Sequence, residues 1–466
     1  MSRPDGSPRL SLCLVARDEE ALLPGCLESV RGAVDELVVV DTGSTDRTRE
    51  IARAAGALVL ERPWDDDFAA PRNLAARHAT GDWILVLDAD ERLAPGTGAG
   101  LRRVVRGAAF DLGMVRLHNA ASAGDAAAEV LSGAARRGPV LLLPRLVRRT
   151  PDLAWTGAVH ENLGEWLLRR RGRRAAVPVD LVHYGYVNDE ALILRKGARN
   201  IELLRRCIER EPDDVTPYGY LALELLEAGR ADEARPVVEA AWARLPRQPA
   251  SRCFARVAVA RGILALRRID GAGAVEAARV GEGRNGGHPD FDHLRAAGLE
   301  ILALRAGTGS EEGARLLGEA EQAEVSALRR LREEGPFEFL GAASEGRALL
   351  QLGVVRCLAG RLPEALRTFG EALALEPGSA AARVGAAEVL VELGQAAKAL
   401  EVVAPALGAL PDGWLVAASA AERLGARDDA RTFLAKARQR LGSGYLHAHR
   451  GLRQDRLERS LAGPGT

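Results

Sequence analysis

The stretch Ala79–Glu91, ATGDWILVLDADE, decides the fold. Trp83–Leu87 (WILVL) is a continuous apolar run, the mark of a strand buried on both faces, and it ends directly in Asp88-Ala89-Asp90-Glu91. Toward the N-terminus, Leu10–Ala16 (LSLCLVA) is a second such run, Glu36–Val40 (ELVVV) is a β-branched strand, and Leu58–Leu60 (LVL) is another. Between them Ala21–Val30, Asp46–Ala55 and Phe68–Ala79 carry helical patterns. Strand–helix alternation of this kind predicts right-handed crossovers and a mostly parallel sheet with helices on both faces, an α/β domain.

Ligands of open parallel sheets bind outside the carboxyl ends of the strands. Strand one is followed by Asp18-Glu19-Glu20, strand two by Asp41-Thr42-Gly43-Ser44-Thr45-Asp46, and strand four by Asp88-Ala89-Asp90. Carboxylates gathered on one rim raise each other's pKa unless a cation or hydrogen-bond donors meet them. Two phosphate cradles are excluded: the turn Ala16–Glu20 has no glycine, and no GxxxxGK[ST] occurs. A divalent cation, Mg²⁺ or Mn²⁺, held by one or two carboxylates and the phosphates of a ligand remains, and Asp88 with Asp90 fit that role. The plain alternative is a polar turn with a helix-capping Asp. Asp46 and Asp67 read as caps of the helices that follow them. A phosphorylated receiver domain is discarded, because it needs a Lys near its acidic pocket and the first Lys is Lys196.

From about Ala191 the strand signals stop, and Ala, Leu, Arg and Glu recur at helical spacing. Ala365, Phe369, Ala372 and Pro377 reappear 34 residues on as Ala399, Val403, Ala406 and Pro411. That period, with small residues at helix crossings and a terminal Pro, resembles tetratricopeptide repeats. Tyr218, Leu221, Ala234 and Ala241 fit an earlier unit, Trp414, Ala430 and Leu434 a later one, and 251–335 is helical but out of register. The expected division is an α/β sheet domain at 1–190, a connecting helix at 191–214, repeats at 215–445 and a tail at 446–466. The alternative is a plain helical bundle.

Over 466 residues, 47% are apolar and 27% charged, so large cores are available. The 64 basic and 64 acidic residues cancel, which argues against nucleic acid or an anionic membrane as main partner. No apolar run approaches the ~18 residues of a membrane span, and no signal-peptide pattern opens the chain. Five scattered cysteines without a CxxC argue against a disulfide framework or zinc ribbon, and a cytoplasmic location is expected.

The segments LSLCLVARDEEALLPGCLESV, ELVVVDTGSTDRT, DDDFAAPRN and ATGDWILVLDADE resemble the N-terminal half of a family 2 glycosyltransferase with the GT-A fold. WTGAVHENL (Trp155–Leu163) and LVHYGY (Leu181–Tyr186) extend the resemblance to the subgroup with C-terminal tetratricopeptide repeats, which includes peptide S-glycosyltransferases of the sublancin type. The resemblance implies an inverting, metal-dependent transfer of a sugar from a nucleotide diphosphate, with uridine the first choice. It implies that Asp41 contacts the base, Arg72 the base or diphosphate, and Asp88 the ribose and metal. Asp90 is then the main metal ligand, and Glu20 contacts the nucleoside. Glu161, or His160, is the candidate base, and His183 a third metal ligand or diphosphate contact. Two departures stand out: Asp18 where the family usually has Asn, and Pro71 where it usually has Ala. Tetratricopeptide arrays form concave surfaces that hold peptides, so a peptide or protein acceptor is expected. The other reading is a non-catalytic scaffold on a degenerate transferase domain.

Overall fold

The computed structural model describes residues 6–138, 140–185, 190–248, 254–334 and 340–440. Tyr186, Cys253 and the expected tail at 446–466 lie outside the described residues. The chain forms two compact units divided at 252/253.

The first unit is built on one eight-stranded sheet. Its strands are β1 (Leu10–Ala16), β2 (Glu36–Asp41), β3 (Leu58–Glu61), β4 (Trp83–Asp88), β5 (Glu91–Leu93), β6 (Leu112–Asn119), β7 (Leu141–Arg148) and β8 (Arg174–His183). They lie in the order β3-β2-β1-β4-β7-β6-β8-β5. The first four are the expected parallel set. β7 then runs antiparallel to β4, and β5 antiparallel to β8. The apolar runs of β1 and β4 are buried on both faces, as their lack of alternation requires. Leu10, Leu12 and Leu14 of β1 pack with Leu23, Cys26 and Leu27 of the helix Leu23–Ser29 on one side. Cys13 packs with Ala69, Ala75 and Ala76 of the helix Ala69–His78 on the other, beside Trp155 and Trp166.

Register places the rim. Asp41 lies opposite Ala16 and Asp88 opposite Val15, so both acids leave the sheet beside the end of β1. Right after Asp90 the chain turns back as β5, whose Glu91 pairs with His183 at the end of β8. That return brings His183 to the acidic rim.

The first unit also contains the helices Glu190–Arg210, Thr216–Glu227 and Ala231–Arg244. The sequence reading closes the sheet domain at 190, whereas these three helices belong to the same compact unit as the sheet. The second unit contains ten α-helices among its described residues, from Ala255–Arg267 to Arg427–Arg440. The apolar residues of the 34-residue period other than its prolines are buried: Ala365, Phe369, Ala372, Ala399, Val403 and Ala406. No helix among the described residues is long and apolar enough to cross a membrane.

Candidate active site

The two acids of Asp88-Ala89-Asp90 point to different partners. Asp88 is clamped by two guanidinium groups: Arg72 Nη2 donates to Oδ1 at 2.9 Å and Arg145 Nη2 to Oδ2 at 2.7 Å. Arg72 comes from the helix Ala69–His78 and also donates from Nε to Glu161 Oε1 at 2.5 Å. Arg145 comes from β7 and also bonds the buried Glu91. Burial alone would raise the Asp88 pKa. Arg145 and then Arg72 overcome it and hold this carboxyl well below the usual carboxylate range. Glu91 goes the other way: burial pushes it up to about 7 against the pull of Arg145.

Asp90 instead faces His183, with Oδ2 3.3 Å from Nε2. His183 Nδ1 is 2.8 Å from Asn119 Oδ1 on β6, so Nδ1 carries the donated proton and Nε2 of the neutral ring presents a lone pair to a carboxylate. Two acceptors facing each other require a proton or a cation between them. Gly185 makes this possible, because a Cβ there would lie 1.8 Å from Asp90 Oδ2 and 2.9 Å from His183 Nε2. The expected three-ligand set is therefore divided: Asp90 and His183 converge, while both oxygens of Asp88 are turned to arginines. Among the described residues no group of three or more His, Cys, Asp and Glu side chains forms a metal-holding set. Asp90 and His183 still suit Mg²⁺ or Mn²⁺, since such ions take one or two protein ligands and complete their shell with phosphate and water oxygens.

Asp41 is 1% exposed, and its carboxylate accepts from Gly43 N–H at 3.2 Å and Ser44 N–H at 3.1 Å, and from the Ser44 hydroxyl. It shapes its own loop, the Asx-turn geometry, in place of presenting oxygens to a base. Asp18 adopts φ 53° and accepts from Thr45 N–H at 2.7 Å, tying the first loop to the second. Asp tolerates this left-handed backbone as Asn does, which explains why the departure at Asp18 fits. Glu20 is exposed and accepts from Arg47 N–H at 3.1 Å. Its neighbour Glu19 is the acid that feels the rim: burial first, then Asp90, pushes it up to about 7. Asp46 and Asp67 accept from Thr48 N–H and Ala70 N–H, the capping roles expected.

Glu161 and His160 sit in the loop closed by the Thr156–Asn162 bridge. Glu161 accepts a hydrogen bond from Arg72, which ties this loop to the helix Ala69–His78. His160 is held by Glu224, 3.0 Å from its Nε2, on the helix Thr216–Glu227. Arg145, Asn119 and Glu224 were not legible. Arg145 is one arginine among many in PRLVRR, and Glu224 lies in LALELLEAGR, where an acid looks like helix surface. The HYGY segment did carry a signal for Gly185, a glycine between two tyrosines beside a candidate ligand.

Residues 11–108 match the model of the family 2 glycosyl transferases, and residues 358–413 match a tetratricopeptide repeat model. The chain carries a family 2 glycosyl transferase domain followed by tetratricopeptide repeats. Asp41, Arg72, Asp88 and Asp90 lie inside the matched transferase segment, and Arg145, His160, Glu161 and His183 beyond it. The chain is 37% identical over 230 residues to a TPR repeat-containing protein of Synechococcus elongatus, covering 47% of this chain and 53% of that protein. It is 24% identical over 233 residues to the SPbeta prophage-derived glycosyltransferase SunS of Bacillus subtilis, covering 49% and 52%. An uncharacterized glycosyltransferase of Rickettsia typhi is 36% identical over 86 residues, covering 18% of this chain and 29% of that protein. The matches thus span about half the length of the curated relatives, or less.

Proposed function

We propose that this protein is an inverting glycosyltransferase that moves a sugar from a nucleotide diphosphate donor, uridine diphosphate first among them, to a hydroxyl or thiol acceptor. The observation that carries the reading is the pairing of Asp90 with His183 beside an arginine-clamped Asp88, at the carboxyl ends of strands within and next to a family 2 transferase domain. Asp90 and His183 would hold Mg²⁺ or Mn²⁺, which supplies charge neutralisation for the departing diphosphate.

The remaining work falls to the chain's own side chains. Arg145 and Arg72 keep Asp88 ionised and fixed, so that it can accept hydrogen bonds from the ribose hydroxyls. Asp41 keeps the loop after β2 in the shape that meets the base. Glu161 ties the acceptor-side loop to Arg72 and so to the donor rim. The repeats support a peptide or protein acceptor.

The test is nucleotide release from UDP-, GDP- and dTDP-glucose in the presence of Mn²⁺, with water or added peptide as acceptor. Release from one donor that is lost in Asp90→Asn supports the reading. A chain that binds a nucleotide but never turns it over would instead be a scaffold on an inactive transferase domain.

A further inference from the structure

We infer that Glu224 is a positioning residue that fixes the His160 imidazole with its Nδ1 open as the acceptor of the proton from the incoming nucleophile. The inference rests on the glycosyl-transfer reading above and deepens it on the acceptor side.

His160 is held in an uncommon way. Its φ is 55°, a left-handed backbone uncommon outside glycine, which His adopts more readily than most residues. Three contacts hold the residue. The loop is closed by Thr156 and Asn162, which exchange backbone hydrogen bonds of 3.0 and 2.9 Å. The imidazole stacks on Tyr220, with centroids 4.4 Å apart and planes 10° apart. Its Nε2 lies 3.0 Å from Glu224 Oε1. Glu224 is in turn anchored by Asn200 Nδ2 at 3.1 Å, from the helix Glu190–Arg210. Burial works against its ionisation, but the bonds from His160 and Asn200 prevail and keep its pKa below the ordinary glutamate value.

A carboxylate only accepts, so Nε2 must donate, and the lone pair of the neutral ring is then on Nδ1. The His160 side chain is 35% exposed and that of Glu224 17%, so the imidazole is the more open member of the pair. The second unit supplies a contrast. There His293 bonds Glu324 at 2.8 Å with side-chain exposures of 13% and 0%, a closed pair with a structural role. The His160 pair differs in its open ring, its backbone conformation and its place in the chain. The next residue, Glu161, bonds Arg72, and Arg72 bonds Asp88 of the donor rim.

In the step assigned, the proton of the acceptor O–H or S–H passes to His160 Nδ1. The freed electron pair forms the bond to the anomeric carbon. The bond from that carbon to the diphosphate oxygen breaks, its electron pair leaving with the diphosphate. The imidazolium that results faces the Glu224 carboxylate, which stabilises it. Arg199 acts electrostatically on Glu224, and Glu161, next in sequence to His160, pairs with Arg72.

The experiment has two readouts on the full chain. Ring ¹⁵N shifts of histidine-labelled protein at pH 8, with the His160 signal assigned by its loss in His160→Gln, report the tautomer. The expected result is an Nε2–H ring in the wild type and a mixture of tautomers in Glu224→Gln. The second readout is the rate of UDP release from UDP-glucose with Mn²⁺. Glu224→Gln and His160→Gln are each expected to lower kcat by about 10²-fold, with KM for the donor changed by no more than about twofold and Glu224→Asp recovering part of the loss. An Nδ1–H ring in the wild type, or a Glu224→Gln variant with wild-type kcat, overturns the inference. A wild-type chain that binds none of UDP, GDP and dTDP overturns the transferase reading itself, and the tautomer separates that failure from failure of the Glu224–His160 arrangement.

Discussion

At the level of single residues, the acidic rim is resolved by partners that the sequence does not place. Asp88 and Asp90 are one residue apart, yet one is locked between arginines and the other faces an imidazole. Gly185 is the clearest control point. Gly185→Ala would drive a methyl into Asp90 Oδ2, so it is expected to weaken Mn²⁺-dependent nucleotide binding by at least about tenfold while leaving the fold intact. Calorimetry with circular dichroism checks both parts. Arg145 is a matter of stability as well. Arg145→Met leaves Glu91, 2% exposed, without its cation, and the first unit should lose on the order of 3 kcal/mol in urea denaturation. An unchanged midpoint would mean that Glu91 simply takes up a proton. The acids themselves were readable, because each ends an apolar run. Of their partners, Arg72 and His183 were candidates from sequence, whereas Arg145, together with Asn119 and Glu224, which hold His183 and His160, comes into place only through strand order and helix packing, which no local pattern in this arginine-rich chain encodes.

Among elements, the four parallel strands were legible because runs such as LSLCLVA and WILVL can only be covered on both faces, and they fall at Leu10–Ala16 and Trp83–Asp88. The later strands β6, β7 and β8, of which β7 runs antiparallel to its neighbours, gave no comparable signal. LLLPRLVR mixes a proline and charges into its run, and pairing with its neighbours decides its conformation. In the helical unit the repeat was legible through small residues. A Cβ at Gly353 or Gly385 would lie 2.6 or 2.5 Å from the Phe369 ring, so both glycines make room for one buried aromatic. Phe369→Ala should cost about 3–5 kcal/mol by leaving that space empty, measurable as a lowered denaturation midpoint. A pH effect belongs to the same unit. Burial first, and then Glu324 against the Gln351 hydrogen bond, pushes Glu300 up to about 7 from the ordinary 4.5. The folded state therefore binds the extra proton. Its contribution is fully present below pH 4.5 and is lost as pH rises through 7, a difference of roughly 3 kcal/mol. Glu300→Gln should flatten this fall, so its melting temperature gains on the wild type between pH 5 and pH 8. An equal decline in both proteins would show that Glu300 is not the group responsible.

For the molecule as a whole, the two compact units divide at 252/253, beyond residue 190, where the sequence reading closes the sheet domain. Residues 215–246 share the small-and-large spacing of a repeat, yet the helix Thr216–Glu227 lies in the first compact unit and delivers Glu224 to His160. Spacing alone cannot separate a helical hairpin that stacks on other hairpins from one that covers a sheet domain, because both need the same apolar faces. The central claim is that the Asp90–His183 pair makes a donor site for a nucleotide diphosphate and its cation. Calorimetric binding of UDP, GDP and dTDP, each with and without Mn²⁺, to the wild type and to Asp90→Asn tests it most directly. The account predicts micromolar binding of one nucleotide that requires both Mn²⁺ and Asp90. Binding that is indifferent to the metal and to Asp90, or no binding of any of the three, would contradict it.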